Sequence, residues 1–487
     1  MKKILYTFLS LAGGITLISC SKDFTETKFY QQTQATPIKN LEELNSFVKG
    51  AYARMRNVNY LGCYYLGYGE ARSDEMYNSQ STERMTYTSD YMLDPTKGDP
   101  TNTWNSAYRV IGNANKVINA PDALTSMKNN TPDALVKQIK TLKAEAYAIR
   151  AIVFFDLLRL YGQKYTGGTL GIPLPLDFNP TATSTRATLA ESEAQIEADF
   201  KKSLELFTEV ASGGDLKTLV DTADKTYLSP LAVKVFLSRF YMYKGEFGQA
   251  ATLSDEVINS NKYEIVPGVD MSTSFSKPNA SNSVFELAVG ATGGLGVSAY
   301  EFLLNSNGYG LLRVTPQAVN LYASNDVRKN LLTRIKREYF LDNKFTDLKG
   351  QSNIKLIRIE EVYLNAIEAH LRSDDPTGGG DKTKGYYNTL RQKRGLTATT
   401  TAVSFEELTK ERSRELLGEG FRYWDLLRWS YYEKDNHTKT IIIPQYNKTG
   451  VADAANNKTV PNRLFAFPIP QSEIDSEYSN VTQNPGY

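Results

Sequence analysis

Between residues 41 and 58 apolar side chains return every three or four positions, at Leu41, Leu44, Phe47, Val48 and Ala51, and the stretch closes on Asn57 and Asn59. That spacing draws one apolar stripe along a helix of period 3.6 and predicts an amphipathic α-helix. The same pattern predicts helices over 102–118, where Trp104, Tyr108, Ile111 and Asn115 share a face, and over 137–161. In the latter, Leu142, Glu145, Ala148, Ala151, Ile152, Phe155 and Leu158 keep the period until Gly162 stops it. Further helical stretches are expected over 190–210, 228–244, 247–260, 356–372, 382–394 and 405–430. The intervening middle is rich in Thr, Ser, Gly and Asn and holds neither a helical nor a strand period.

One helix pair carries a repeat signature. Leu237, Tyr241, Gly245, Phe247, Ala250 and Val257 sit at the offsets of a tetratricopeptide repeat, with a small Ala where two helix axes approach to about 8–10 Å. Glu360 to Leu371 followed by Gly385 to Arg394 resembles a second, degenerate pair across the Gly-rich loop Ser373 to Asp381. Generic antiparallel helix pairs are the alternative, and either way the scaffold is a stack of helix hairpins. The expected fold is mostly α: a helical tetratricopeptide-repeat scaffold over 38–260 and 351–487, carrying a loop-rich, mixed subdomain over 261–350 plus the loop 60–101. No linker-like boundary divides 38–487, so a single domain is expected there.

Ahead of that domain the pattern changes. Lys2 and Lys3, an apolar run from Ile4 to Ile18, and small Ser19 before Cys20 have the layout of a lipoprotein signal over 1–19. Cleavage before Cys20 leaves a thiol and an α-amine for acylation, and two or three acyl chains, at about 0.8 kcal/mol per buried CH₂, hold a protein on a bilayer. Residues 20–37 are polar and read as a lipidated tether. With Cys20 lipidated, Cys63 has no partner and a disulfide within the mature chain is excluded. A net charge of +2, from 56 basic and 54 acidic residues, offers no field to hold a nucleic acid.

Several short motifs fall in a consistent order. They are Trp104-Asn105-Ser106-Ala107-Tyr108-Arg109, Ala144-Glu145-Ala146 running to Arg150, Leu160-Tyr161-Gly162, Gly171-Ile172-Pro173-Leu174-Pro175 and Arg358-Ile359-Glu360-Glu361-Val362-Tyr363. Later come Arg391-Gln392-Lys393-Arg394-Gly395, Glu411-Arg412-Ser413-Arg414-Glu415, Glu419-Gly420-Phe421-Arg422, Trp424-Asp425-Leu426-Leu427-Arg428-Trp429, Phe467-Pro468-Ile469-Pro470 and Asn484-Pro485-Gly486-Tyr487. In order and spacing the chain resembles the SusD/RagB family of outer-membrane nutrient-binding lipoproteins. The resemblance implies a non-catalytic lid on a SusC-like TonB-dependent barrel, capturing an oligosaccharide, or in some branches a peptide, at the cell surface of Bacteroidetes. It implies outer-membrane attachment through Cys20 with the domain facing the exterior; Lys22, Asp23 and Glu26 resemble the family's export signal, although the charges are interrupted.

Candidate chemistry is weighed against that frame. Glu411, Glu415, Glu419 and Arg422 share one predicted helical face, with Asp425 and Arg428 nearby. Glycosidases use paired carboxylates, but from separate elements across a cleft, so ion pairing between helices is the preferred reading here. His370 and His437 are far apart and lack metal-site spacing; no cofactor is expected, and only Asp374, Asp375 and Asp381 offer oxygens for a structural calcium.

Aromatic usage points instead to a ligand: 31 Tyr stand against 3 Trp. A sugar face stacks on an aromatic ring while neighbouring polar groups take its hydroxyls. Two stretches mix such residues, and the expected ligand-binding residues are Asp74, Tyr77, Arg84, Tyr87 and Tyr91 in the first and Asn305, Tyr309 and Arg313 in the second. In the family both regions line the ligand cleft, and Ser73-Asp74-Glu75 resembles its acidic ligand-contacting stretch. Glycan-binding members often place a Trp there, which this chain lacks. A peptide or glycopeptide receptor of the same architecture and a tetratricopeptide protein-interaction adaptor are the alternatives.

Overall fold

Asn40 starts the first helix by accepting the Glu43 N–H at its Oδ1 at 2.8 Å, and α1 (Leu41–Met55) turns Leu41, Leu44, Val48, Ala51 and Met55 inward. Other helices begin with the same device. Thr131 precedes Pro132 at the start of the helix Pro132–Tyr161, Thr188 and Glu191 form a reciprocal capping box at the helix Leu189–Val210, and Ser229 precedes Pro230 at the helix Pro230–Lys244. The computed structural model describes residues 37–128, 130–177, 179, 182–211, 224–373, 380–432, 440–443 and 458–487. Cys20 and the expected signal and tether lie outside the described residues, apart from Pro37.

In chain order, α1 is followed by α2 (Tyr64–Ala71), β1 (Met76–Asn78), α3 (Thr86–Ser89), α4 (Gly98–Ile118), α5 (Pro132–Tyr161) and α6 (Leu189–Val210). Next come α7 (Pro230–Lys244), α8 (Phe247–Asn259), α9 (Met271–Ser276), β2 (Ser283–Leu287), α10 (Tyr300–Leu304), β3 (Leu312–Val314) and α11 (Pro316–Val319). Then follow β4 (Thr333–Ile335), β5 (Glu338–Phe340), β6 (Ile354–Arg358), α12 (Ile359–Arg372), α13 (Gly380–Lys393) and α14 (Phe405–Leu416). The chain finishes with α15 (Arg422–Tyr432), β7 (Thr440–Ile443), β8 (Lys458–Pro461) and α16 (Gln471–Ile474).

The fold is mostly α, as the periodicity predicts. α1, α4, α5 and α6 pack in succession, and α7, α8, α12, α13 and α14 continue the stack. The hairpin α7–α8 bears out its repeat spacing: Gly245 makes the turn at φ +85°, and Ser238 Oγ donates to the Ala250 carbonyl at 2.9 Å across the close crossing. On one side lies a smaller mixed layer, a four-stranded sheet in the order β1-β3-β5-β4, with its own apolar cluster of Met76, Met85, Tyr300, Leu303, Leu312 and Val314. β2 and β6 pair antiparallel beside it. All three Trp are buried in the scaffold.

Two sequence expectations change. The loop 60–101 contains an eight-residue helix, α2, whose residues Tyr65, Gly67, Tyr68, Gly69, Glu70 and Ala71 are all buried. Buried on every side, it has no polar face and therefore no amphipathic period to detect. The helix expected over 405–430 is two helices, because Gly418 and Gly420 adopt left-handed φ of +79° and +84° between them. Glu419 and Arg422 consequently leave the face of Glu411 and Glu415.

Those carboxylates are ion-paired, with partners arriving from distant segments. Glu415 accepts from Arg394 at 2.8 and 2.9 Å and from Arg328 at 3.0 Å; Glu411 accepts from Arg328 at 2.7 Å; Glu419 accepts two bonds from Arg358 and one from Lys344, all at 2.7 Å. The guanidiniums hold Glu411, Glu415 and Glu419 below the usual carboxylate range despite complete burial. Nearby, Arg428 grips Glu368 with two bonds of 2.7 Å, and Arg412 grips Asp425 at 2.7 and 2.9 Å. The candidate calcium oxygens are not assembled by what is described: Asp381 is exposed and paired with Lys384 at 2.7 Å, while Asp374 and Asp375 lie outside the described residues.

Candidate functional site

The two tyrosine-rich stretches meet where β1 pairs antiparallel with β3, which sets Tyr77 opposite Arg313. Arg313 Nε donates to the Gly310 carbonyl at 3.0 Å, and its guanidinium pairs with Glu338 on β5. After β1 the chain folds back on itself around Asn78, whose Nδ2 donates to the Arg84 carbonyl at 3.0 Å while its Oδ1 accepts from Gln80 N–H at 2.7 Å. Met85, buried at the base of this loop, anchors it against Gly67, where an added Cβ would come within 2.3 Å of the Met85 methyl.

The loop so held presents Arg84 and Tyr87. The Arg84 guanidinium lies 5.0 Å from the Tyr309 ring centre, and its Nη1 reaches the Val297 carbonyl at 3.4 Å. Tyr309 stands at a turn whose far side is Gly310 at φ +50°, and the edge of Phe302 supports its ring at a centroid distance of 4.9 Å. Both Tyr309, at 36%, and Tyr87, at 44%, keep accessible ring surface. Lys97 Nζ sits 4.1 Å from the Tyr87 ring. Arg84 and Tyr309 thus form an aromatic and cationic surface, Tyr87 is exposed three residues after Arg84 in the same loop, and Arg313 is half-buried.

The remaining expected site residues belong to the fold. Tyr91 is buried: its hydroxyl donates to the Arg72 carbonyl at 2.7 Å and its ring lies 4.4 Å from the Arg72 guanidinium. Asn305 is 3% exposed, and its side chain ties a turn together by donating to the Asp342 and Phe345 carbonyls at 3.3 and 2.9 Å and accepting from Asn307 N–H. Tyr77 is 5% exposed; burial raises its hydroxyl pKa, with the Arg313 charge opposing that rise. Asp74 is gripped by Arg422 through bonds of 2.6 and 2.8 Å, a fork geometry that commits both carboxylate oxygens. Its acidic neighbours are also enclosed, Glu75 pushed up to about 7 and Glu70 to about 8 chiefly by burial.

Among the described residues, two concavities lie outside this surface. A pocket of about 540 Å³, its mouth included, lies between α2, α10 and the 344–355 segment and is lined by Leu66, Phe275, Tyr300, Glu301, Lys344 and Phe345 among others. Glu301 escapes the sequence reading; its only signal is an acidic residue inside the apolar run Tyr300-Glu301-Phe302-Leu303-Leu304. Burial raises its carboxyl to about 7, and Asp347 adds to the rise. A wider groove of about 3110 Å³ runs between α4 and α6 beneath Pro173–Asp177. Its aromatic polar atoms are committed to the protein, Trp104 Nε1 to Glu473 at 3.4 Å and the Tyr108 hydroxyl to the Pro173 carbonyl at 2.9 Å.

Known proteins share this architecture. A family profile described as "Starch-binding associating with outer membrane" matches residues 23–242, and one described as "SusD family" matches residues 335–487. The starch-binding protein SusD of Bacteroides thetaiotaomicron is 33% identical over 136 residues, 28% of this chain and 22% of that protein. SusD-like protein P2 of Formosa agariphila is 24% identical over 264 residues, 53% of this chain and 47% of that protein. The chain therefore spans under half the length of these curated relatives. A crystal structure from Bacteroides vulgatus, named as a candidate sugar-binding protein, superposes with a TM-score of 0.80 at 26% identity, covering 93% of this chain and 100% of the other.

Proposed function

Because the chain belongs to the SusD family, we propose that it is a non-catalytic, glycan-binding lipoprotein of the outer membrane. It captures an oligosaccharide at the cell surface and delivers it to a SusC-like TonB-dependent barrel, held to the membrane by acyl chains on Cys20. The starch-binding name of the relative that is 33% identical, the outer-membrane association in the family description and the sugar-binding name of the superposed protein support this reading.

One observation carries the site: Tyr309 keeps open ring surface beside the Arg84 guanidinium, and Tyr87, three residues along the same loop, keeps open ring surface beside Lys97. An open ring takes the C–H face of a sugar, and a guanidinium donates to its hydroxyls. Arg313, half-buried and paired with Glu338, donates to the Gly310 carbonyl next to Tyr309. The non-catalytic reading is supported by the acidic residues of α14 and the turn after it. A general acid needs a raised pKa and a free proton, whereas arginines hold Glu411, Glu415 and Glu419 ionised.

Calorimetric titration with malto- and β-1,3-gluco-oligosaccharides tests the proposal. Saturable heat is expected, weakened about tenfold or more when Tyr87 and Tyr309 both become Ala, the scale of losing a central aromatic anchor. Unchanged affinity in the double variant refutes the site. Saturable binding to peptides but to no glycan favours the peptide-receptor reading, to which the burial of every Trp in the scaffold lends support.

A further inference from the structure

The pocket between α2, α10 and the 344–355 segment does not share its lining with the Arg84–Tyr87–Tyr309 surface. Its apolar walls are aromatic. Phe275 and Phe345 lie 5.7 Å apart between ring centres, and Tyr300 meets Phe345 edge-on at 5.9 Å. Most charged groups in the lining already have partners. Lys344 Nζ donates to the Leu417 carbonyl and to Glu419, both at 2.7 Å, and Lys355 Nζ donates to the Lys277 carbonyl at 2.6 Å and to Glu286 at 2.5 Å. Asp347 accepts three backbone N–H groups of its own loop, from Lys349, Gln351 and Ser352.

Two polar groups are left over. The Tyr300 side chain is 4% exposed, and its buried hydroxyl has no hydrogen-bond partner among the described residues. In the same lining, the Glu301 carboxylate receives its own backbone N–H, and among the described residues no side chain donates to it and no cation pairs with it. A buried hydroxyl without a partner is a standing cost, and an unpaired carboxylate in an aromatic recess is a second. Both are relieved by the same kind of group. An ammonium donates hydrogen bonds to the carboxylate and to the phenol oxygen, and its charge is attracted by ring faces. A neutral hydroxyl can satisfy the phenol but leaves the carboxylate charge unmatched.

We propose that this pocket binds a primary ammonium group carried on a small ring or chain, with Glu301 as the counter-ion, Tyr300 as the hydrogen-bond partner and Phe275 and Phe345 as the walls. An amino sugar and a lysine side chain both carry such a group, and the two sources share this chemistry. The inference stands apart from the glycan platform: α10 supplies Tyr300 and Glu301 to the pocket, and Phe302 on the same short helix supports Tyr309.

The test is a titration of the full-length protein with glucosamine and with N-acetyl-lysine amide, each beside its neutral counterpart, N-acetylglucosamine and N-acetyl-norleucine amide. At least one amine should bind saturably and at least tenfold more tightly than its counterpart, and the one that does so identifies the source. Glu301→Gln should lower amine affinity at least tenfold while leaving the thermal midpoint unlowered, and Tyr309→Ala should leave amine affinity unchanged. Equal binding of amine and neutral forms, amine binding that survives Glu301→Gln, or no saturable amine binding at millimolar concentration overturns the proposal. Loss of glycan binding in the Tyr87/Tyr309 double variant reports on the other surface alone.

Discussion

Replacing Glu415 by Gln removes one negative charge from the centre of the buried ionic network. Around it, Arg328, Arg358, Arg394, Arg414 and Lys344 face Asp326, Glu360, Glu411, Glu415 and Glu419, so five cations meet five carboxylates. The Glu415, Arg328 and Arg394 side chains are 0% exposed, so water cannot replace what is lost. Glu415 accepts three short bonds, two from Arg394 and one from Arg328. Each is charge-assisted and worth about 1.5–3 kcal/mol. Gln keeps one oxygen acceptor, but it turns an NH₂ toward a guanidinium and leaves the network with an unmatched positive charge. Removing one partner of a buried pair costs about 3–5 kcal/mol, and that is the expected loss here. Urea unfolding at neutral pH, followed by circular dichroism, should show a lower midpoint with an unchanged slope. The double variant Glu415→Leu/Arg394→Leu should recover part of the loss, because it removes both charges together. A single-variant loss below about 1 kcal/mol, the scale of an exposed pair, refutes the reasoning.

Two further outcomes follow from other buried positions. Glu145 is pushed up to about 7 by burial, with the Tyr52 hydroxyl donating to it at 2.5 Å. A raised carboxyl pKa favours the fold below its ordinary value of 4.5, and that contribution is lost as pH rises through about 7. Glu145→Gln should therefore match the wild type near pH 4 and exceed it by up to about 3 kcal/mol above pH 7, the upper bound for such a shift; a difference that stays flat with pH in thermal melts sinks this. In α2, a Cβ on Gly69 would fall 2.1 Å from the Gly420 carbonyl oxygen, and Gly420 itself needs φ +84°. Gly69→Ala should lower stability by more than about 1 kcal/mol, the lower end for overpacking; a thermal midpoint equal to wild type would show that the backbone yields freely.

The helical hairpins were legible because their apolar stripes and caps are local. Thr188 with Glu191, Ser229 with Pro230, and Gly245 at a turn all act within a few residues. The α14–α15 break was harder to read, since the period of apolar residues continues across it and only the left-handed Gly418 and Gly420 interrupt the backbone. At the candidate site, composition singled out two stretches that the fold pairs through β1 and β3, but could not separate their tyrosines. Tyr87 and Tyr91 are four residues apart in the same stretch, yet one is 44% exposed and the other 5%. That difference comes from the Arg72 guanidinium, which Tyr91, Tyr423 and Phe467 enclose with their rings.

By itself, then, the sequence determined the helical class and the repeat hairpin, because helix period, capping and turn chemistry depend on residues close along the chain. Tertiary structure alone decided which polar groups were consumed and which were left. Asp74 went to Arg422, Glu415 to Arg394 and Arg328, and Asn305 to two carbonyls of a later loop, while Tyr300 and Glu301 kept unsatisfied atoms beside a cavity. The physical reason is desolvation. A buried charge or hydroxyl must find a partner across the fold, and separations such as the 348 residues between Asp74 and Arg422 leave no local trace.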